Sequence, residues 1–273
     1  MVHNVWPYLG GLGRLVEIPF TASETVSTQD RYVAKTTVEG RRRVQVRPAS
    51  PRSWNVDMKG ARSSEVAALS AFVSGGWGAG PWHWVPVQAQ RGNLLTPRES
   101  LLLDRAASNN IMDSGPLKAP DGSWAPRSGL VDLASGSEWL FAGVPVMPGQ
   151  SFTWALDVVG DGATAPELIT IYSDADGARV GTGDRSASTT VRGLHRTSMT
   201  LTPPEGVAAV DVGVRGTVKR FARPQVTWTD REVPYATGHG CRAAVIDGLS
   251  ESLLCAARDA SFSEVGFTVM EVS

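Results

Sequence analysis

The side chains able to do acid–base, nucleophilic or metal chemistry are few and scattered. The histidines are His3, His83, His195 and His239, and none stands in an H-E-x-x-H arrangement that would put two imidazoles on one helix face for zinc. No serine lies in a G-x-S-x-G elbow, and no G-x-x-x-x-G-K-[ST] loop offers its amides to a phosphate. Gly11–Leu15 reads GLGRL but lacks the strand–turn–helix setting of a nucleotide loop. His83, between Trp82 and Trp84, is the candidate functional imidazole, against the plainer reading of a histidine that packs and hydrogen-bonds. Asp174 and Asp176 come nearest to the paired carboxylates of a glycosidase. They alternate across D-A-D-G, however, which is a hairpin turn. Their clustered oxygens also suit a structural calcium ion, and no other cofactor is expected. With no catalytic constellation, the chain is expected not to be an enzyme.

The tryptophans ask for another explanation. Residues 75–87 read GGWGAGPWHWVPV, placing Trp77, Trp82, His83 and Trp84 among glycines and prolines. A backbone that bends this freely holds catalytic groups poorly. It presents large apolar area at low entropy cost, which is what subunit contacts use tryptophan for. These four residues are therefore expected at a contact between copies, with Trp82 and Trp84 on one face of an extended segment and His83 on the other. Trp154 alternates with polar residues and reads as core. Trp124, in a DGSWAP turn, and Trp228, before TDRE, are the candidates for exposure, where an indole could stack on a sugar face.

The elements that must position these side chains are mostly strands. Phe152, Trp154, Leu156 and Val158 alternate with polar or small residues, as do Val210, Val212 and Val214, and Phe267 and Val269 near the C-terminus. Glycines (29) and prolines (17) punctuate the whole chain, as in β-sandwiches. One helix stands out in SSEVAALSAFVSGG, with Ser63 or Ser64 as cap, Glu65 in the first turn and Val66, Leu69, Phe72 and Val73 on one face. The texture changes at Arg91–Pro97 and again at Pro234–Cys241, where Gly238 and Gly240 are expected to let the chain turn sharply. The last strands need a partner, and the N-terminal segment supplies one. The expected domains are a discontinuous β-sandwich with one helix, residues 1–94 and 237–273, and an inserted β-sandwich, residues 95–236.

Composition narrows the function. Hydrophobic residues at 42% and charged residues at 19% supply a core and argue against disorder. Twenty-six basic against 27 acidic residues give a net charge of -1, so nucleic acid is not an expected partner. The run Arg41–Arg43 continues into alternating Val44–Arg47 and reads as the solvated face of a strand. Cys241 and Cys255 match no metal spacing and are taken as small buried residues in a reducing compartment. No basic, apolar leader and no bilayer-length apolar run is present, so synthesis in a cytoplasm without membrane insertion is expected.

Four stretches, RSWNVDM (52–58), VAALSAFVSGGWGAGPWHWV (66–85), RGNLLTP (91–97) and GFTVMEV (266–272), resemble the distal tail protein of long-tailed phages that infect actinobacteria. Residues 146–156, 171–181, 198–214 and 222–240 are similar to the jelly-roll, carbohydrate-binding-module-like domains inserted into phage tail proteins. The resemblance implies a ring, usually of six copies, joining the tail tube to tail-tip or baseplate hub proteins at the distal end of the virion. It implies a sandwich fold for the insert more directly than a sugar ligand. Two other functions stay open at this point: a host-surface carbohydrate-binding adhesin and a tail-associated glycosidase.

Overall fold

The computed structural model describes residues 5–19, 21–28, 32–36, 38–46, 51–103, 111–113, 115–131, 137–162, 167–181, 183–184, 192–215, 218–256 and 261–272. The chain is mainly β and divides into two compact units, one of Met1–Gly10, Val16–Trp84 and Arg242–Ser273, the other of Gly11–Leu15 and Val85–Cys241.

The N-terminal part of the chain forms β1 (Tyr8–Gly11), β2 (Arg14–Glu17) and β3 (Thr21–Thr28), with Gly11 and Arg14–Leu15 grouped with the second unit. A separate hairpin of β4 (Tyr32–Thr36) and β5 (Arg42–Val46) follows; the side chains of the basic run from Arg42 onward lie outside the described residues. Next come β6 (Arg52–Arg62), helix α1 (Ser63–Val73) and β7 (Trp82–Val85). In the second unit, α2 (Val87–Arg91) and α3 (Pro97–Ser100) precede short strands β8 (Ile111–Asp113), β9 (Leu117–Lys118), β10 (Trp124–Ala125) and β11 (Gly129–Val131). Longer strands follow: β12 (Ser137–Pro145), β13 (Phe152–Asp161), β14 (Glu167–Ser173), β15 (Arg179–Val180), β16 (Arg192–Leu201), β17 (Ala209–Arg215) and β18 (Val218–Thr227). The chain ends in the first unit with β19 (Cys241–Ala256) and β20 (Ser261–Glu271).

The first unit is a seven-stranded sheet ordered β2-β1-β7-β19-β20-β6-β3, in which the C-terminal strands lie between N-terminal ones. Period-two alternation puts Trp54, Val56 and Met58 of β6 and Val265, Phe267 and Val269 of β20 on one buried face. Helix α1 packs on these two strands and buries Val66, Leu69 and Phe72. Val73 lies past that stripe and is 53% exposed, contrary to expectation. The helix cap also differs: Arg62 precedes the first turn, its backbone N–H donating to the Glu65 carboxylate at 2.6 Å, and both serines are already helical. Arg52 and Glu271 tie the start of β6 to the end of β20 through a two-pronged ion pair, Nε to Oε2 at 2.9 Å and Nη2 to Oε1 at 2.8 Å.

The second unit pairs a five-stranded sheet, β16-β13-β18-β11-β8, with a four-stranded one, β12-β17-β14-β15. Trp154 of β13 reaches from one to the other, its indole N–H donating to the Gly213 carbonyl of β17 at 3.2 Å. Strand β13 is not half-buried as its alternation suggests. Phe152, Trp154, Leu156 and Val158 fill the interior, and Thr153, Ala155 and Asp157 are buried on the other face.

The boundary after β7 falls at 84/85, ten residues before the expected 94/95. Asn93 explains why. Its buried amide donates to the carbonyls of Pro224 and Ala236, both at 3.0 Å, and its Oδ1 accepts from the N–H groups of Leu95 and Val226. All four of its hydrogen-bonding positions are used within the second unit. Gly238 and Gly240 serve the same packing rather than a sharp turn. A Cβ on Gly240 would lie 1.8 Å from the Leu94 carbonyl oxygen, and one on Gly238 2.2 Å from that of Leu95. Neither cysteine forms a disulfide, and Cys255 is exposed, not buried.

Candidate functional site

The glycine-rich stretch after α1 folds back on the helix. Gly75, Gly78 and Gly80 all adopt positive φ, the region that glycine enters without steric cost. Trp77 then stacks on Phe72 (centroids 5.4 Å apart), while Trp82 meets the same ring edge-on at 5.1 Å. Trp84 packs edge-on against Trp54 at 6.4 Å. Trp82 is 8% and Trp84 0% exposed, so both belong to the core of the first unit. That corrects the expectation that they face a neighbouring subunit; an indole spent on its own sheet has no area left to offer. Trp77, 44% exposed, is the tryptophan of this stretch with a free side. Burial, together with the nearby Arg242 guanidinium, lowers the His83 pKa to about 4. The imidazole is therefore neutral near pH 7 and is a poor acid–base group there.

Asp174 caps its own turn: Oδ1 accepts from the N–H groups of Asp176 and Ala178 at 3.0 and 2.8 Å. Among the described residues, no group of three or more His, Cys, Asp or Glu side chains is placed to hold a metal. Of the two candidate ligand tryptophans, Trp228 is buried at 7% exposure and donates its indole N–H to the Pro145 carbonyl at 3.0 Å, which corrects its assignment to the surface. Trp124 is 67% exposed.

A site that alternation did not reveal lies on the other face of β13. Asp157 is fully buried and receives two guanidinium groups, Arg196 Nη1 at 2.8 Å from β16 and Arg223 Nε at 2.5 Å from β18. A bulge aims the second. Ala155 pairs with Gln225 and Asp157 with Ala222, so Arg223 and Pro224 stand opposite one residue of β13. Arg223 takes φ 50°, a left-handed conformation costing a non-glycine residue about 1–2 kcal/mol. Its Nη1 donates to Asp121 Oδ2 at 2.8 Å and Ser123 Oγ at 2.7 Å. These acceptors sit in the turn between β9 and β10, where Asp121 Oδ1 accepts from the Ser123 N–H and hydroxyl. Hydrogen bonds from Arg223, then Ser123, hold the Asp121 carboxyl far below the usual carboxylate range.

Around this pair the site is well fastened. Gln225 accepts from Arg196 Nη2 at 2.5 Å and donates to the carbonyls of Gly92 and Pro234. The Tyr235 hydroxyl donates to the Ser100 carbonyl at 3.1 Å, and its ring lies 5.1 Å from the Arg223 guanidinium carbon and 5.9 Å from that of Arg196. Glu232 Oε1 approaches Arg196 Nε to 3.3 Å without aligning as a hydrogen bond. Asp121, Arg196, Arg223, Glu232 and Tyr235, with Pro120, Val233 and Pro234, line a cleft of about 410 Å³, within the roughly 300–1,000 Å³ typical of small-molecule sites. Arginines and carboxylates more than 30 residues apart carry this site, and no local motif announces it.

No protein-family model and no curated protein matches the chain. Among solved structures it is similar to the enzymatically active domain of tailspike protein 4 of bacteriophage CBA120, at 10% identity and a TM-score of 0.36 over 50% of this chain. It spans about a fifth of that protein, 21%. A structure of carbohydrate-binding modules from the β-sandwich superfamily is similar at 13% identity and a TM-score of 0.30, over 81% of this chain and 91% of that one. The N-terminal modules of a Clostridium thermocellum xylanase are similar at 12% identity and a TM-score of 0.33, over 48% and 27%. All three TM-scores lie below 0.5, so function is argued from the residues of this chain.

Proposed function

We propose that this chain is a structural subunit of a phage tail tip. Its first unit assembles with copies of itself into a closed ring, six in number, between the tail tube and the tip or baseplate proteins at the distal end of the virion. The observation that carries this reading is the outer half of β19. Residues 250–256 are exposed at every position, and Leu253 and Leu254 are 61% and 54% exposed. A register shift between Leu253 and Cys255 interrupts the pairing with β20 beside these leucines. On one edge β19 pairs with β20, but on the other its neighbour β7 has four residues against its own sixteen. Among the described residues no other strand pairs along that edge, so residues 250–256 offer backbone groups beside apolar side chains, a combination that pairs with another chain. A ring of heterologous contacts uses such an edge once per subunit. The stretches resembling distal tail proteins at 52–58, 66–85 and 266–272 support the same reading, since nearly all of their residues belong to this unit.

The subunit acts without catalysis. Asp157 is committed to two arginines, and hydrogen bonds from Arg223 and Ser123 favour the ionised form of Asp121, which makes it a weak proton donor for glycosidic cleavage. Negative-stain microscopy of the purified chain tests the assembly: closed rings of uniform diameter are expected. Isolated single particles at every concentration would overturn it.

A further inference from the structure

Two linked side chains of the cleft keep hydrogen-bonding capacity that the fold does not use. Arginine carries five N–H donors. Arg223 spends Nε on Asp157 and both hydrogens of Nη1 on Asp121 and Ser123, and Nη2 has no acceptor among the described residues. Asp121 Oδ2 accepts one hydrogen bond, from Arg223 Nη1, on a side chain that is 56% exposed. A donor and an acceptor thus stand side by side on residues that both line the cleft.

We propose that this cleft binds a short uncharged segment of another protein in extended conformation. An extended residue turns its own N–H and C=O to the same side, which is how paired strands exchange two hydrogen bonds. Here the segment's N–H donates to Asp121 Oδ2 while its carbonyl accepts from Arg223 Nη2, so two side chains take the part that a strand edge plays in peptide recognition. The rest of the lining suits a peptide's side chains. Pro120, Val233 and Pro234 offer apolar surface, and neither proline has an N–H to give. A ligand ringed with hydroxyls would leave some of them unpaired there, a cost that an aliphatic side chain does not incur. Charge argues against acidic and basic segments alike. Arg196 and Arg223 are matched by Asp157, Asp121 and Glu232, so no positive excess awaits a carboxylate, and the uncommitted Nη2 repels a cation. Arg223 is 5% exposed, clamped by Asp157 and set beside the Tyr235 ring, so little side-chain freedom is lost on binding. Its left-handed backbone, φ 50°, is a strain of the kind that gathers at ligand clamps. All the lining residues belong to the second unit, and the proposal stands apart from the assembly reading.

Isothermal titration of the full chain with N-acetylated, C-amidated tetrapeptides built from Ala, Val, Leu and Pro tests the proposal. At least one should bind. Replacing its amides one at a time by esters removes a single N–H donor, and at one position binding should weaken by about tenfold or more. Asp121→Ala should weaken binding as much while rings form as in wild type. The ester series needs no variant, so it decides even where Asp121→Ala is unstable. No binding by any capped peptide overturns the proposal. So does affinity that survives every ester, equal affinity in a folded Asp121→Ala, or binding confined to peptides with free carboxylates or to neutral oligosaccharides.

Discussion

His83 shows how far a residue's setting can depart from its neighbours in sequence. Its place between two tryptophans makes it a candidate imidazole or a packing histidine; on β7 it is largely buried near Arg242, and its pKa falls to about 4 from the ordinary 6.5. The unfolded chain takes up a proton between those values and the folded one does not. Stability is therefore full above about pH 6.5, is lost as the pH falls toward about 4, and levels off below. The full effect of such a shift is on the order of 3 kcal/mol. Urea midpoints of wild type and His83→Gln, compared from pH 7 to 4, should converge as the pH falls, because the variant lacks the titration. A constant difference across that range would refute the assignment. The residues that matter most in the second unit were less legible. Asp157 sits in a strand pattern where an alternating polar residue implies solvent, and its partners Arg196 and Arg223 are 39 and 66 residues away. Only the packed sheet brings them together. Trp228 misleads for the same reason, since its polar followers say nothing of the Pro145 carbonyl that receives its N–H.

Elements with strong period were readable and their edges were not. Helix α1 and strands β13, β17 and β20 follow from apolar spacing, because periodicity reports which face is buried. The boundary near residue 90 does not, because residues 85–95 are held by hydrogen bonds such as Leu94 N–H to the Val226 carbonyl and Trp228 N–H to the Gln90 carbonyl, at 2.7 Å each. Composition carries no trace of those. The glycines separate the two kinds of information. Gly177 has φ +80° with open space around it, so alanine there meets only the left-handed penalty of about 1–2 kcal/mol. At Gly240 a Cβ would overlap the Leu94 carbonyl, 1.8 Å from its oxygen and 2.7 Å from its carbon. Gly240→Ala should cost more than about 3 kcal/mol, as overpacking against rigid backbone does at its upper end. Chemical denaturation of the two variants side by side gives the comparison. A Gly240→Ala midpoint no lower than that of Gly177→Ala would show that the two segments are not packed as described.

At the scale of the whole molecule, the chain divides its work. The first unit takes its sheet from both ends of the sequence, its C-terminal strands lying between N-terminal ones. Assembly then rests on surface that the first unit leaves uncovered, above all the Leu253–Leu254 end of β19. Light scattering coupled to size-exclusion chromatography, on wild type and the double variant Leu253→Asp/Leu254→Asp, tests this most directly. Wild type should elute at about six times the 29.0 kDa of one chain. The variant, whose substitutions lie on exposed positions and leave the core intact, should elute as a folded single chain. A wild type that stays at the mass of one chain, or a variant that assembles as fully as wild type, would contradict the account.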